Sequence, residues 1–198
     1  MPLPKGQNPN HPAKGSSIRV EPIRERAAIK RIKAHLADNP RNLCLFTLGI
    51  NTAFRASELL SIRVGQVRYG ETELEVREQK TGKLRRVTLN PTALASVRGY
   101  LTSVELADDD MLFTGKRGPL VVPTVTALVK KWCGEAGLRG NYGSHTLRKT
   151  WGYWQRVGNK TPVPLLMEAF GHATQRQTLH YLGIQDEEIR DVYLGMEL

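Results

Sequence analysis

The chain reads as an α+β fold, mostly helical, with one small antiparallel three-stranded sheet. Three observations lead there. Apolar residues recur at helical spacing over most of the 198 residues. That period breaks once, in the middle, where "ELEVREQ" and "KLRRVTL" alternate apolar and charged residues on either side of Thr81-Gly82. Hydrophobic residues make up 40% of the chain, enough for the packed core of one domain.

The elements follow in order. Residues 1–18 hold four prolines and little that is apolar, and read as a flexible basic arm. From Arg19 to Arg41 the pattern is helical, with Ile29, Ile32 and Leu36 on one stripe, until Asn39-Pro40 ends it. "RNLCLFTLGINTAF" starts a second helix, apolar nearly all round and therefore buried. "ASELLSI" continues as a short helix, and "VGQVRY" is taken as the third strand, ahead of the hairpin. Pro91 opens a helix with Leu94, Val97 and Leu101 on its apolar face. After a loop through "DDDMLFTGKRGPL", Pro123 begins another helix. Its long stripe is Val125, Leu128, Val129, Trp132, Cys133 and Ala136, and Gly137 and Gly140 end it. Three more helices are expected over about 145–157, 162–170 and 174–182. The organisation is then an arm (1–18), a main domain (19–185) and a tail (186–198) with five acids and one arginine.

Lys and Arg number 29 against 19 acids, a formal net charge of +10. Charge alone leaves two readings of equal weight: an anionic partner, nucleic acid first, or a soluble basic protein without one. Residues 1–41 hold nine Lys or Arg and three acids, which is either a solvated face or a stripe along phosphates. No run approaches the roughly 20 apolar residues of a membrane span, and "MPLPKGQNPNHPAKG" lacks the apolar core of a secretory signal. Cys44 and Cys133 stand far apart, against a disulfide framework or a cysteine-rich zinc site, and a cytoplasmic setting fits.

The chemistry-bearing residues are scattered. In "SHTLRKTWGYW", His145 and Arg148 at i,i+3 share one helix face. Ser144 is placed to cap that helix, whose first N–H groups favour a phosphate. The plainer alternative is a capped helix with a polar end and an aromatic core face. Arg55, in "NTAFRASELL", either pairs with Glu58 one turn on or reaches a phosphate while Glu58 holds its guanidinium. Lys80 in "EQKTGK" is a hairpin-tip lysine, His172 in "EAFGHA" a helix-terminal histidine, and Tyr181 in "TLHYLG" a core aromatic, each taken alone. No carboxylates cluster with ligand spacing, so no metal or other cofactor is expected.

Together, Arg55, Lys80, His145, Arg148, His172 and Tyr181 resemble, in order and spacing, the active site of the tyrosine recombinase (phage integrase) family. "TAFRASELL" resembles its first arginine box, "KTGK" its lysine turn and "HTLRKT" its His-x-x-Arg box. "FGH", followed by Tyr nine residues after the histidine, resembles its terminal box. The resemblance covers about residues 20–183. It departs at Ala53, where glycine is frequent, at Phe170, where leucine is usual, and at Lys149, where a second histidine is common. The short N-terminal part resembles the single-domain invertases of the family, or a fragment of a longer integrase.

The resemblance implies a recombinase-type helical catalytic domain that cuts and rejoins double-stranded DNA through a 3′-phosphotyrosyl bond, without a metal. Tyr181 would be the nucleophile, Arg55 and Arg148 the phosphate clamp supported by Glu58, and Lys80 the general acid. His145 would be a general base or a phosphate donor, and His172 a phosphate donor. It also implies homo-oligomers, tetramers on paired sites, and leaves room for accessory DNA-binding proteins. Two alternatives are a nicking and relaxing enzyme resembling type IB topoisomerases, and a non-catalytic DNA-binding regulator of the same fold. Binding alone would not require Tyr181. Tyr193 is the rival nucleophile but lacks the histidine-to-tyrosine spacing.

Overall fold

A computed structural model of the chain describes residues 20–77, 82, 84–183, 190 and 192–197. Its first helix, α1 (Arg26–His35), is shorter than the apolar stripe implies. Pro22 biases its predecessor away from helix, and the residues ahead of α1 bond outward instead. Glu21 N–H donates to Asn141 O at 2.8 Å and Ile23 N–H to Thr150 Oγ1 at 2.8 Å. Helix α2 (Pro40–Asn51) starts where Asn39 accepts the Asn42 N–H at 3.1 Å. Pro40 fits the first helical position, which needs no N–H. Helix α3 (Ala56–Leu60) is a single turn and a half.

The expected third strand is absent among the described residues. Val64–Gln66 forms a 3₁₀ turn. Val64 and Val67, three apart, are both buried, which a helical turn allows and a strand of period two does not. The backbone here is also committed elsewhere: Val64 N–H donates to Asp110 O at 3.0 Å and Gly65 N–H to Asp108 O at 2.9 Å.

The hairpin forms as expected. Strands β1 (Glu73–Arg77) and β2 (Leu84–Thr88) are antiparallel, pairing Glu73 with Thr88 and Arg77 with Leu84. Leu74 and Val76 are buried, and across from them Arg85 and Val87 share the inward face of β2. Helix α4 (Pro91–Leu101) follows, capped by Asn90. In the segment read as loop, β3 (Thr114–Gly115) and β4 (Gly118–Pro119) make a second small antiparallel pair.

Helices α5 (Val122–Glu135) and α6 (Ser144–Tyr153) come next, and α6 ends in a π turn, Trp154–Gly158. The last two are α7 (Val163–Phe170) and α8 (Gln175–Leu182). Helix α2 lies against α4 and α6, and α5 against α6. The core between them includes Ile32, Leu48, Val129 and Phe46, whose ring meets Trp132 edge-on at 6.0 Å. Cys44 and Cys133 are free and buried in it. A smaller cluster of Ala53, Leu166 and Phe170, with Trp151, Tyr181 and Leu182 against it, lies where α6, α7 and α8 meet. Gly152 permits that meeting: a Cβ there would stand 2.5 Å from both Phe170 Cζ and Leu182 Cδ2. No helix among the described residues is long and apolar enough to cross a membrane.

Candidate active site

Glu58 is the centre of the site. It is 1% exposed, and its carboxylate faces three guanidiniums. At the start of α3, Arg55 N–H donates to Glu58 Oε2 at 2.7 Å and the Arg55 guanidinium to Oε1 at 2.7 Å. Arg85 of β2 reaches Oε2 at 3.0 Å, and Arg148 of α6 lies 3.9 Å from the same oxygen. Three positive groups against one negative leave a positive excess in a largely buried volume, where charges interact far more strongly than in water. Such a cluster favours an added anion.

Arg148 is 2% exposed and donates to Ala53 O and, at 2.6 Å, to Phe170 O. Burial, and then the charges of Arg55 and Arg85, pull its pKa down to about 10, so it is still charged at neutral pH. His145, one turn earlier, is exposed. Partial desolvation and the charges of Arg148, Arg55 and Lys149 lower its pKa, which favours the neutral imidazole. Ser144 is not the cap it was expected to be: it is the first helical residue of α6, and Gly143 N–H donates to Thr146 Oγ1 at 3.0 Å. The Thr hydroxyl three residues on does the capping that Ser144 cannot do from inside the helix.

The end of α7 aims the second histidine. Gly171 takes the left-handed conformation (φ 61°), which a residue without Cβ adopts at little cost. The chain folds back there, and His172 N–H donates to Met167 O at 3.0 Å. The His172 ring stacks on Phe170 at 5.0 Å, and its Nδ1 lies 3.0 Å from Thr178 Oγ1. Where the Thr178 hydroxyl donates to Nδ1, Nε2–H becomes the ring's free donor. Desolvation, then Arg148, Arg55 and Arg85, lower its pKa to about 4.

That shift has a stability consequence. The folded protein disfavours protonated His172, so the stabilisation is complete above the ordinary histidine value of 6.5 and is lost as pH falls towards about 4. His172→Gln removes this dependence. Melting curves at about pH 7 and about pH 5 should show wild type losing ground to the variant on acidification; a constant difference between the two proteins would contradict it.

Tyr181 of α8 stands edge-on to Phe170 and His172, each at 5.3 Å. The Arg148 guanidinium lies 5.9 Å and Lys149 Nζ 5.1 Å from its ring centroid. Its hydroxyl is buried and has no hydrogen-bond partner among the described residues. Burial raises its pKa, while the Arg148 guanidinium, through its charge and its approach to the hydroxyl, and then the charge of Arg55 pull the other way. A buried unpaired hydroxyl costs roughly 1–3 kcal/mol, a cost expected where a polar group waits for a ligand. Tyr193, by contrast, is 79% exposed.

The structure thus brings together Arg55, Glu58, His145, Arg148, His172 and Tyr181. Lys80 lies outside the described residues, as do residues 1–18 of the arm and most of the tail. Arg85 is the member that the sequence reading missed. Its signal was parity: two residues before inward-facing Val87, it had to point inward too.

Residues 22–188 match the model of the phage integrase family. This chain belongs to that family. It is 29% identical over 179 residues to a probable integrase/recombinase YoeC of Bacillus subtilis, covering 88% of this chain and 95% of that one. It is 31% identical over 157 residues to tyrosine recombinase XerC of Caldanaerobacter subterraneus, covering 76% of this chain and 43% of the relative. Among solved structures it is similar to XerA recombinase, with a TM-score of 0.74 at 22% identity over 90% of this chain and 66% of the other. XerH recombinase bound to palindromic difH substrate gives 0.72 at 18% identity, over 90% of this chain and 53% of the other. The family fold is shared, while the chain spans about half the length of several of these recombinases.

Proposed function

We propose that this phage integrase family member is a tyrosine-type site-specific DNA recombinase, with residues 19–185 as its catalytic domain. The observation that carries the reading is the buried, unpaired Tyr181 hydroxyl beside an arginine cluster with too few acids. A phosphodiester supplies what both lack: an anion for the guanidiniums and an electrophile for the phenol.

The proposed chemistry assigns each residue a part. Arg55 and Arg148 bind the non-bridging oxygens with charged, forked hydrogen bonds. The Tyr181 oxygen forms a bond to phosphorus as the bond to the 5′ oxygen breaks, leaving a 3′-phosphotyrosyl link that stores the bond energy for rejoining. The phenol proton passes to a base, for which neutral His145 is suited, and His172 donates to a phosphate oxygen. Lys80, assigned by its place in the "KTGK" turn, protonates the departing 5′ oxygen. The partner is double-stranded DNA, on which the chain assembles as a homo-oligomer across paired sites, in the cytoplasm.

The test incubates the protein with a nicked duplex from its own locus, in excess EDTA, and looks for a covalent protein–DNA adduct. No adduct would sink the reading. The role of Lys80 has its own signature. Lys80→Ala should slow cleavage about 100-fold or more, and a 5′-bridging sulfur, a better leaving group, should restore most of that rate. If the sulfur substrate is cut equally slowly, Lys80 contributes binding and not proton transfer.

A further inference from the structure

The reading above assigns the clamp to Arg55 and Arg148 and leaves Arg85 without a role. Yet Arg85 is tied to several parts of the site. It comes from the hairpin, its side chain is 13% exposed, and it reaches three other segments. It donates to Glu58 Oε2 in α3 at 3.0 Å, to Ala169 O near the end of α7 at 2.5 Å, and stands 3.5 Å from Ala53 O ahead of α3. Its guanidinium also lies over the Phe54 ring at 5.7 Å. None of these partners is solvent.

Two consequences follow. First, Glu58 Oε2 already accepts from Arg55 N–H and from Arg85, so Arg148 stays 3.9 Å away, beyond hydrogen-bonding distance. Without Arg85, that oxygen would lose a strong donor and draw the Arg148 guanidinium towards itself. Second, Arg85 and Arg148 together satisfy consecutive carbonyls, Ala169 O and Phe170 O, at the C-terminal end of α7. Those carbonyls have no partner within the helix, and the helix dipole favours cations there. The turn that carries His172 begins at the next residue.

We propose that Arg85 is a positioning residue of the active site: it occupies the Glu58 carboxylate and ties β2 to the end of α7, so that Arg148, Arg55 and His172 stay directed at the scissile phosphate. In this role it acts through the Glu58 carboxylate and the backbone oxygens to which it donates, rather than on the phosphate itself. It acts by fixing how much positive charge the clamp presents and where.

The inference rests on the recombinase reading, and its test separates the two. Adduct formation is followed in single turnover, at saturating protein, on a normal scissile phosphodiester and on a methylphosphonate, which lacks one anionic oxygen and needs less neutralisation. The proteins are wild type, Arg85→Met, Arg85→Lys and Arg86→Met. Arg86 is the outward neighbour, paired at the surface with Glu75 at 2.7 Å, where such pairs contribute little. Arg85→Met should lose roughly 100-fold on the phosphodiester, as loss of a transition-state donor does, and recover most of it on the methylphosphonate. Arg85→Lys keeps the charge but not the fork and should fall between; it carries the same comparison if Arg85→Met does not fold. Arg86→Met should react like wild type. Equal losses on both linkages would make Arg85 merely structural and overturn the proposal, as would a wild-type rate in Arg85→Met. If wild type itself forms no adduct on either substrate, it is the recombinase reading that has failed.

Discussion

Tyr181→Phe will bind duplex DNA as wild type does and form no covalent adduct. The expectation rests on what the substitution removes. The ring keeps its contacts with Phe170 and His172, because the phenyl group occupies the same place. The hydroxyl has no partner to lose among the described residues. Removing a buried polar group that lacks a partner relieves a penalty of about 1–3 kcal/mol, so the melting temperature should hold or rise. Activity, however, would lose the proposed nucleophile outright. Tyr193→Phe is the control: that side chain is 79% exposed, and its variant should form adduct at the wild-type rate. The assay is a denaturing gel of protein trapped on a nicked duplex. An adduct in Tyr181→Phe, or its loss in a stable Tyr193→Phe, would move the nucleophile elsewhere.

The contrast between these tyrosines shows what the sequence made legible. Spacing alone separated them: Tyr181 lies nine residues beyond His172, and Tyr193 does not. The helices were readable for the same reason, since Val125, Val129, Trp132 and Cys133 recur at intervals that only a helix turns to one side, and all four are buried. Pairing of Arg55 with Glu58 was readable as a local, i,i+3 contact. What escaped was tertiary. The third strand failed because Val64 and Val67 answer to the 108–110 loop, whose contact cannot be seen locally. The depth of Arg148 escaped because three remote segments bury it, and Gly152 because its close approach to Phe170 and Leu182 joins separate helices. Arg85 lay between the two cases. Strand parity placed it inward, but nothing local said that a carboxylate waited there.

Arg148→Lys, a substitution that conserves charge, should reduce the rate of adduct formation by about 10²–10³. Lysine supplies a point charge on a flexible stem, whereas the site uses a planar fork. Arg148 spends its two terminal nitrogens on Ala53 O and Phe170 O while its plane lies over Phe170, 4.7 Å from the ring centroid. An ammonium cannot meet both carbonyls, hold the ring face and still reach a phosphate oxygen. The fold should survive the change. Glu58 keeps Arg55 at 2.7 Å and Arg85 at 3.0 Å, so no buried carboxylate is left unpaired. One orphaned carbonyl costs about 1–3 kcal/mol, within the stability of an ordinary domain. Two measurements decide it: single-turnover cleavage at saturating protein, and thermal melting. A stable Arg148→Lys protein that cleaves within about tenfold of wild type would mean that the buried guanidinium holds the helices together and leaves the phosphate to others.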